Sequence, residues 1–214
     1  MNTIAIIPAF NEEKTIGNVL SVLQKVAPPL DRIIVVSDGS TDKTVQTAQS
    51  FGVEVVALAK NRGKGAALKA GLDNFSTDIV LLLDADLIGL TPAHVHSLLE
   101  PVRQGEADMT VGIFEKGRIA TDLAQKLAPY LSGQRAIRSS LLAEITDLEK
   151  ARYGVDLALS RFTESAGLRV KEVILPDMTH VMKEEKLGVY RGLVARMKMY
   201  WEIIGYLSKF NSLK

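Results

Sequence analysis

Ile79, Val80, Leu81, Leu82 and Leu83 form an unbroken apolar run that passes directly into Asp84, Ala85 and Asp86. A short run of this kind, with no polar alternation, reads as a strand buried on both faces, which belongs in a sheet covered by helices above and below. Open α/β sheets hold their ligands beyond the carboxyl ends of the strands, which is where the two Asp residues stand. Ionised carboxylates at this spacing repel each other. A divalent cation with a preference for oxygen relieves that repulsion, above all where phosphates complete its shell. An ordinary strand end, with Asp86 capping the next turn, accounts for the same residues, so the stretch alone leaves both readings open.

Around this run the chain alternates β-like and helix-like segments. Thr3 to Pro8 reads as a strand, and Glu13 to Val26 as a helix with Ile16, Val19, Leu20 and Leu23 on one face. Arg32 to Val36 and Glu54 to Leu58 read as strands, joined by a turn at Asp38 to Thr41 and a helix from Asp42 to Phe51. Further helices are expected at Ala66 to Asn74 and from Thr91 and Pro92 onward, and Met109 to Ile113 gives a fifth strand. The βαβα rhythm predicts an α/β fold with a mostly parallel sheet flanked by helices. Beyond Glu115 the pattern turns mostly helical, with one strand at Arg169 to Leu175 and a long final helix from Val189 to Phe210. This second part is expected to lie over the sheet tips.

A chain of 214 residues, 47% hydrophobic, is long enough to bury one substantial core. Lys and Arg number 26 against 25 Asp and Glu, which leaves no basic excess for nucleic acid and no acidic tail. Without cysteine there are no disulfides and no thiolate metal sites. No apolar run approaches the ~18 residues of a membrane span, and no basic leader precedes the first strand, so a soluble cytoplasmic protein is expected.

The loops after the strands carry the chemistry. In PAFNEE, Pro8 stiffens the exit from the first strand, Asn11 can cap the following helix, and Glu12 or Glu13 suits its positive end. In SDGSTD, Asp38 stands beside flexible Gly39 among hydroxyl and carboxylate groups, a composition that turn formation alone explains. NRGKGAAL is harder to explain that way. Lys64 is placed at a helix N-terminus, where the macrodipole disfavours a cation by a few tenths to about 1 kcal/mol, and Arg62 adds to the conflict. An anion would remove it: Gly63 and Gly65 let the backbone approach a phosphate, and N–H groups at the helix start would help hold it. The loop is not a Walker A motif, which needs Gly in place of Leu58 and a hydroxyl in place of Gly65. Nor is it a dinucleotide fingerprint, which needs a small residue in place of Leu68 and follows the first strand.

In this order IIPAFNEEKTIGNVL, VVSDGSTDKT, NRGKGAALKAGL and VLLLDADL resemble the nucleotide-sugar-binding half of a GT-A glycosyltransferase, the Rossmann-like fold built around a DXD metal motif; the likeness covers Thr3 to Pro101. It implies that Pro8, Ala9, Phe10, Asn11, Glu12 and Asp38 surround the nucleoside, and that Lys64 approaches the diphosphate. Asp84 and Ala85 would contact the nucleotide, and Asp86 would bind Mg2+ or Mn2+. Downstream, KGRIATDLA, LSGQRAIRSSLL, YGVDLAL and MTHVMKEEKLGV are similar to segments of glucosyl-3-phosphoglycerate synthases, retaining enzymes that move glucose from a nucleotide sugar to a phosphorylated three-carbon acid. That likeness implies Gly117, Arg118 and Thr121 near the acceptor phosphate, Tyr153, Gly154, Val155 and Asp156 near the sugar, and His180 as a second metal ligand. Asp156 stands where that family has a longer Glu, the spacing from Arg118 to Thr121 is one residue longer, and the chain is shorter than a typical member.

The resemblance divides one GT-A domain into a nucleotide-sugar half at 1–114 and an acceptor-side half at 115–188, followed by an amphipathic helix at 189–214. That helix lines up Leu193, Val194, Met197, Trp201, Ile204 and Leu207 on one side, which suits packing on the core or a homodimer contact better than a membrane surface. The expected partners are a nucleoside diphosphate sugar, UDP-glucose by resemblance, and a small phosphorylated acceptor. Asp86, His180, their divalent ion and Lys64 would stabilise the departing diphosphate. A retaining enzyme could use the leaving phosphate to accept the proton of the attacking hydroxyl. An inverting one needs a carboxylate base, for which Asp156 and Asp147 are candidates. Three other functions compete. An inverting polyprenyl-phosphate glycosyltransferase shares the donor half, a sugar nucleotidyltransferase would need a Gly-rich basic loop where PAFNEE stands, and a nucleotide-sugar sensor would bind donor without turnover.

Overall fold

The computed structural model describes residues 1–73, 75–114, 132–145 and 154–180, with the main chain alone at 180. Strand β1 (Thr3–Ala9), helix α1 (Ile16–Leu23), β2 (Arg32–Ser37), α2 (Thr44–Ser50), β3 (Glu54–Ala57), α3 (Lys64–Asp73) and β4 (Ile79–Leu82) follow the expected alternation. After them come the short β5 (Leu87–Ile88), α4 (Pro92–Arg103), β6 (Met109–Phe114), β7 (Arg135–Arg138), α5 (Ser139–Ala143), α6 (Val155–Ser165), β8 (Val170–Leu175) and β9 (Thr179–His180).

Among the described residues, seven strands form one sheet in the order β3-β2-β1-β4-β7-β6-β8, and β5 pairs with β9 separately. Every pairing in the large sheet is parallel except those of β7, which runs antiparallel to both β4 and β6. The fold is therefore the mostly parallel, helix-flanked sheet that the resemblance to GT-A enzymes implies. β4 sits inside it and explains its own sequence. Ile79, Leu81 and Leu83 pack with Val19, Leu20 of α1 and Val95, Leu98 of α4, while Val80 and Leu82 pack on the opposite face with Ala67, Leu68 of α3 and Leu159 of α6. Each of the buried Val, Leu and Ile side chains contributes about 1.5–3 kcal/mol, and no position is left for a polar residue until the strand reaches the surface.

Three expectations need correction. β7 is a strand that hydrophobic patterning does not announce, because Arg135 and Arg138 occupy half of it. Helix α1 starts at Ile16 rather than Glu13, since Asn11 adopts a left-handed φ of 55° and turns its side chain to another loop instead of capping. Helix α3 starts at Lys64, two residues earlier than expected. The final helix expected at 189–210 lies outside the described residues. Among the described residues, no helix is long and apolar enough to cross a membrane.

Candidate functional site

The loops beyond β1, β2 and β3 are laced together. Asn11 Oδ1 accepts from Thr41 N at 2.8 Å, Glu12 N donates to Thr44 Oγ1 at 2.7 Å, and Glu13 N donates to Asp42 Oδ2 at 3.1 Å. Burial opposes ionisation of Asp42, but hydrogen bonds from Thr44 and Glu13 outweigh it and hold the carboxyl below its ordinary range. Asp38, 4% exposed, donates its N–H to Ala9 O at 2.8 Å. Its carboxylate accepts from Arg62 N at 2.7 Å and Gly63 N at 2.8 Å. Backbone N–H groups of the NRGKG loop, expected to face an anion, thus serve in part to bind Asp38. Gly39 (φ 72°) makes the lacing feasible, because a Cβ there would stand 2.5 Å from Asn61 N. Pro8 and Ala9 end β1 against Val36 and Ser37, and Phe10 lies at the rim, 43% exposed.

Lys64, on the first turn of α3, resolves its conflict with the macrodipole differently from the way the sequence suggests. Its Nζ donates to Asp84 Oδ1 at 2.7 Å and to Asp156 Oδ2 and Oδ1 at 2.9 and 3.1 Å. The three side chains are only 20%, 23% and 14% exposed. Burial disfavours the ammonium, but the coulombic pull of Asp156 and then Asp84 overcomes it, so the Lys64 pKa lies above that of an ordinary lysine. For Asp156, burial pushes the carboxyl up, Lys64 pulls it back, Asp84 adds to the rise and Arg135 opposes it; the net displacement is upward. Asp156 occupies the first turn of α6, directly after Gly154 and Val155.

Two neighbours of this cluster lie in the LSGQRAIRSSLL segment but receive no role in the motif reading. Gln134 Nε2 donates to Asp84 Oδ2 at 3.0 Å, and Arg135, fully buried, donates to the main-chain oxygen of Asp156 at 3.0 Å. Gly133 lies against the pair, where a Cβ would collide with the Asp84 carboxylate and the Lys64 ammonium. The likeness of LSGQRAIRSSLL to family segments is the sequence cue that could have pointed here.

Asp84, Ala85 and Asp86 occupy the turn between β4 and β5, as expected for a strand tip. β5 then pairs with β9 so that Leu87 faces His180 and Ile88 faces Thr179. The register brings the main chain of His180, 94 positions later in the numbering, alongside the residue that follows Asp86. Among the described residues no group of three or more His, Cys, Asp or Glu converges on one point. A carboxylate and an imidazole with remaining positions filled by diphosphate oxygens would suit Mg2+ or Mn2+, cations that are commonly held by one or two protein ligands plus substrate phosphates. Gly117, Arg118, Thr121 and Tyr153 lie outside the described residues.

The model of the family described as glycosyl transferase family 2 matches residues 4–157. Glucosyl-3-phosphoglycerate synthase from Mycobacterium tuberculosis, solved with Mn2+, UDP-glucose and phosphoglyceric acid, superposes with a TM-score of 0.72 at 30% identity, covering 84% of this chain and 71% of that one. The same synthase solved with Mn2+, UDP and glucosyl-3-phosphoglycerate gives a TM-score of 0.79 at 28% identity, with coverage of 96% and 78%. An uncharacterised protein of Methanocaldococcus jannaschii is 32% identical over 193 residues, 78% of each chain. The dodecaprenyl-phosphate galacturonate synthase of Rhizobium johnstonii is 27% identical over 168 residues, 73% of this chain and 46% of that synthase. With a Lys-carboxylate cluster at the sheet tips and a family match over most of its length, the chain belongs to glycosyl transferase family 2 and is a glycosyltransferase of the GT-A fold.

Proposed function

We propose that the protein transfers glucose from UDP-glucose to a small phosphorylated acceptor of the 3-phosphoglycerate type, with retention of the anomeric configuration and with Mn2+ or Mg2+ bound at Asp86 and His180. The observation that supports this reading is the β5–β9 register, which runs the main chain of His180 beside the residue after the DAD turn, in a chain that superposes on a synthase solved with Mn2+ and this donor. The metal, when bound, would supply positive charge to the diphosphate as its bond to the anomeric carbon breaks. Lys64 is the cation this chain contributes to the same task, and it must exchange a carboxylate for a phosphate oxygen to do so. The loops holding Pro8 to Glu12 and Asp38 would enclose the nucleoside. Asp156, once relieved of Lys64, would orient the sugar by accepting from its hydroxyls. Residues 117–121 and Tyr153 would complete the acceptor and sugar sites, within a single domain whose donor half is 1–114.

A second reading is favoured by the likeness to the dodecaprenyl-phosphate galacturonate synthase: transfer to a polyprenyl phosphate with inversion. One experiment separates the two. UDP release is measured over a panel of nucleotide sugars, with and without Mn2+, against 3-phosphoglycerate and a polyprenyl phosphate, and the anomeric proton of the first product is read by NMR. An α-linked product from an α-linked donor with phosphoglycerate is expected; a β-linked product would overturn the assignment.

A further inference from the structure

Gln134 and Arg135 lie at the start of β7 beneath the Lys64 cluster, and each holds one of its acidic partners: Gln134 the Asp84 carboxylate, Arg135 the turn that carries Asp156. The guanidinium is fully buried and its bonds are directed. Nε donates to Ser132 O at 2.9 Å, and one terminal nitrogen donates to Asp156 O at 3.0 Å and to Ser160 Oγ at 2.8 Å. Ser160 Oγ in turn donates to Asp156 O at 3.1 Å. An apolar side chain of similar volume would fill this place beside Met109 without the desolvation that a buried cation suffers, so packing alone does not account for an arginine. Helix α6 supplies the other half of the case. Its N-cap, Gly154, makes no side-chain hydrogen bond, and Arg135, which donates to a carbonyl of the first turn and cannot accept from its free N–H groups, ties that turn to β7 without capping it.

We propose that Arg135 is a positioning residue for sugar transfer: by fixing the first turn of α6 it sets where the Asp156 carboxylate stands against Lys64, Asp84 and the sugar of the donor. The inference rests on the reading of Asp156 as the group that meets the sugar. Among the described residues, the charges facing Asp156 are Lys64 from α3, Asp84 from the turn after β4 and Arg135 from β7. When Lys64 turns to the diphosphate, Arg135 is the cation among the described residues that stays with Asp156. A lysine could not replace it, because a single ammonium cannot reach Ser132 O, Asp156 O and Ser160 Oγ together as the planar fork does.

The test uses the full chain with Arg135→Met, Arg135→Lys, Ser160→Ala, Asp156→Asn and the Arg135→Met/Asp156→Asn double variant. Three quantities are measured: melting temperature, affinity for UDP with Mn2+ by calorimetry, and kcat and KM for UDP-glucose. UDP lacks the sugar, so both Arg135 variants should bind it like wild type while losing kcat by about 100-fold, the scale of a misplaced reacting partner. The double variant should lose no more than the worse single variant, because both changes act through one carboxylate. Ser160→Ala trims one contact of the fork and leaves every charge in place; a smaller kcat loss at unchanged UDP affinity is expected, which keeps the test valid if the Arg135 variants do not fold. Wild-type kcat and KM in Arg135→Met, additive losses in the double variant, or wild-type kcat in Ser160→Ala beside unfolded Arg135 variants would each overturn the proposal. Failure of the donor reading shows itself separately: wild-type protein would then neither bind UDP nor release it from UDP-glucose, and the role of Arg135 in sugar transfer would fall with it.

Discussion

The Lys64 ammonium contacts both carboxylate oxygens of Asp156, at 2.9 and 3.1 Å, across 92 positions of sequence. Considered only as a cation at a helix N-terminus, Lys64 should be removable at no cost to the empty protein. The contact reverses that expectation. Lys64→Ala leaves Asp84 and Asp156 facing each other with little water to separate them, so a loss of about 2–3 kcal/mol is expected in urea unfolding. Adding Asp156→Asn to this variant should recover part of the loss, and an unfolding free energy at or above wild type for Lys64→Ala would contradict the role of the cluster.

Asp86 should behave differently, because it stands half-buried in the turn beyond β4, outside the Lys64 cluster, and its proposed work is coordination. Asp86→Ala and His180→Ala are expected to abolish or strongly weaken Mn2+-dependent UDP release while changing stability by less than about 1 kcal/mol. Electron paramagnetic resonance of free Mn2+ during a titration with protein and UDP provides a readout that does not depend on turnover. Unaltered Mn2+ uptake in both variants would remove these residues from the metal site.

Gly133→Ala tests how closely the backbone of the β7 approach is fitted to the cluster. The added methyl would overlap the Asp84 carboxylate and the Lys64 ammonium, so the pair must separate. A loss of about 1–3 kcal/mol is expected, typical of inserting a methyl group into a filled space. Donor KM should rise in parallel. Calorimetry with UDP and thermal unfolding of the same preparation would check both.

A pH dependence is expected far from the site. Asp108 accepts from Arg169 through Nε at 3.1 Å and a terminal nitrogen at 2.8 Å, which, with the Arg169 backbone N–H, holds its carboxyl below the ordinary value. A folded-state pKa below the unfolded one contributes stability that is present above about pH 4 and lost as pH falls through the folded value. Asp108→Asn should therefore lower the melting temperature at neutral pH and flatten its acid limb. Melting curves of both proteins between about pH 6 and about pH 3 would show it; parallel limbs would refute it.

The donor half was legible in the sequence because its signals are local. The apolar run of β4, the turn chemistry at Gly39 and the Thr91-Pro92 start of α4 each specify their own structure within a few residues. What escaped depends on partners far along the chain. Arg135 is tolerable in a buried strand only because Ser132, Asp156 and Ser160 receive its protons, and no periodicity reports that. Asn11 reads as a cap until Thr41, 30 positions later, claims its side-chain oxygen. The β5–β9 ladder is two residues long, too short for any pattern.

The place of β7 in the sheet also bears on how the chain folds. β6 pairs only with β7 and β8, and β4 completes its ladder only with β7. A chain emerging from the ribosome can thus assemble β3-β2-β1-β4 early, but holds β6 without a neighbour until residues 135–138 arrive to be inserted between strands already made. Pairings so distant in sequence close slowly, and an apolar strand left waiting is exposed to wrong partners in the interval. The Lys64–Asp84–Asp156 cluster cannot close until the helix that carries Asp156 is in place. Folding monitored through that cluster should lag behind folding monitored through the β1–β2 core.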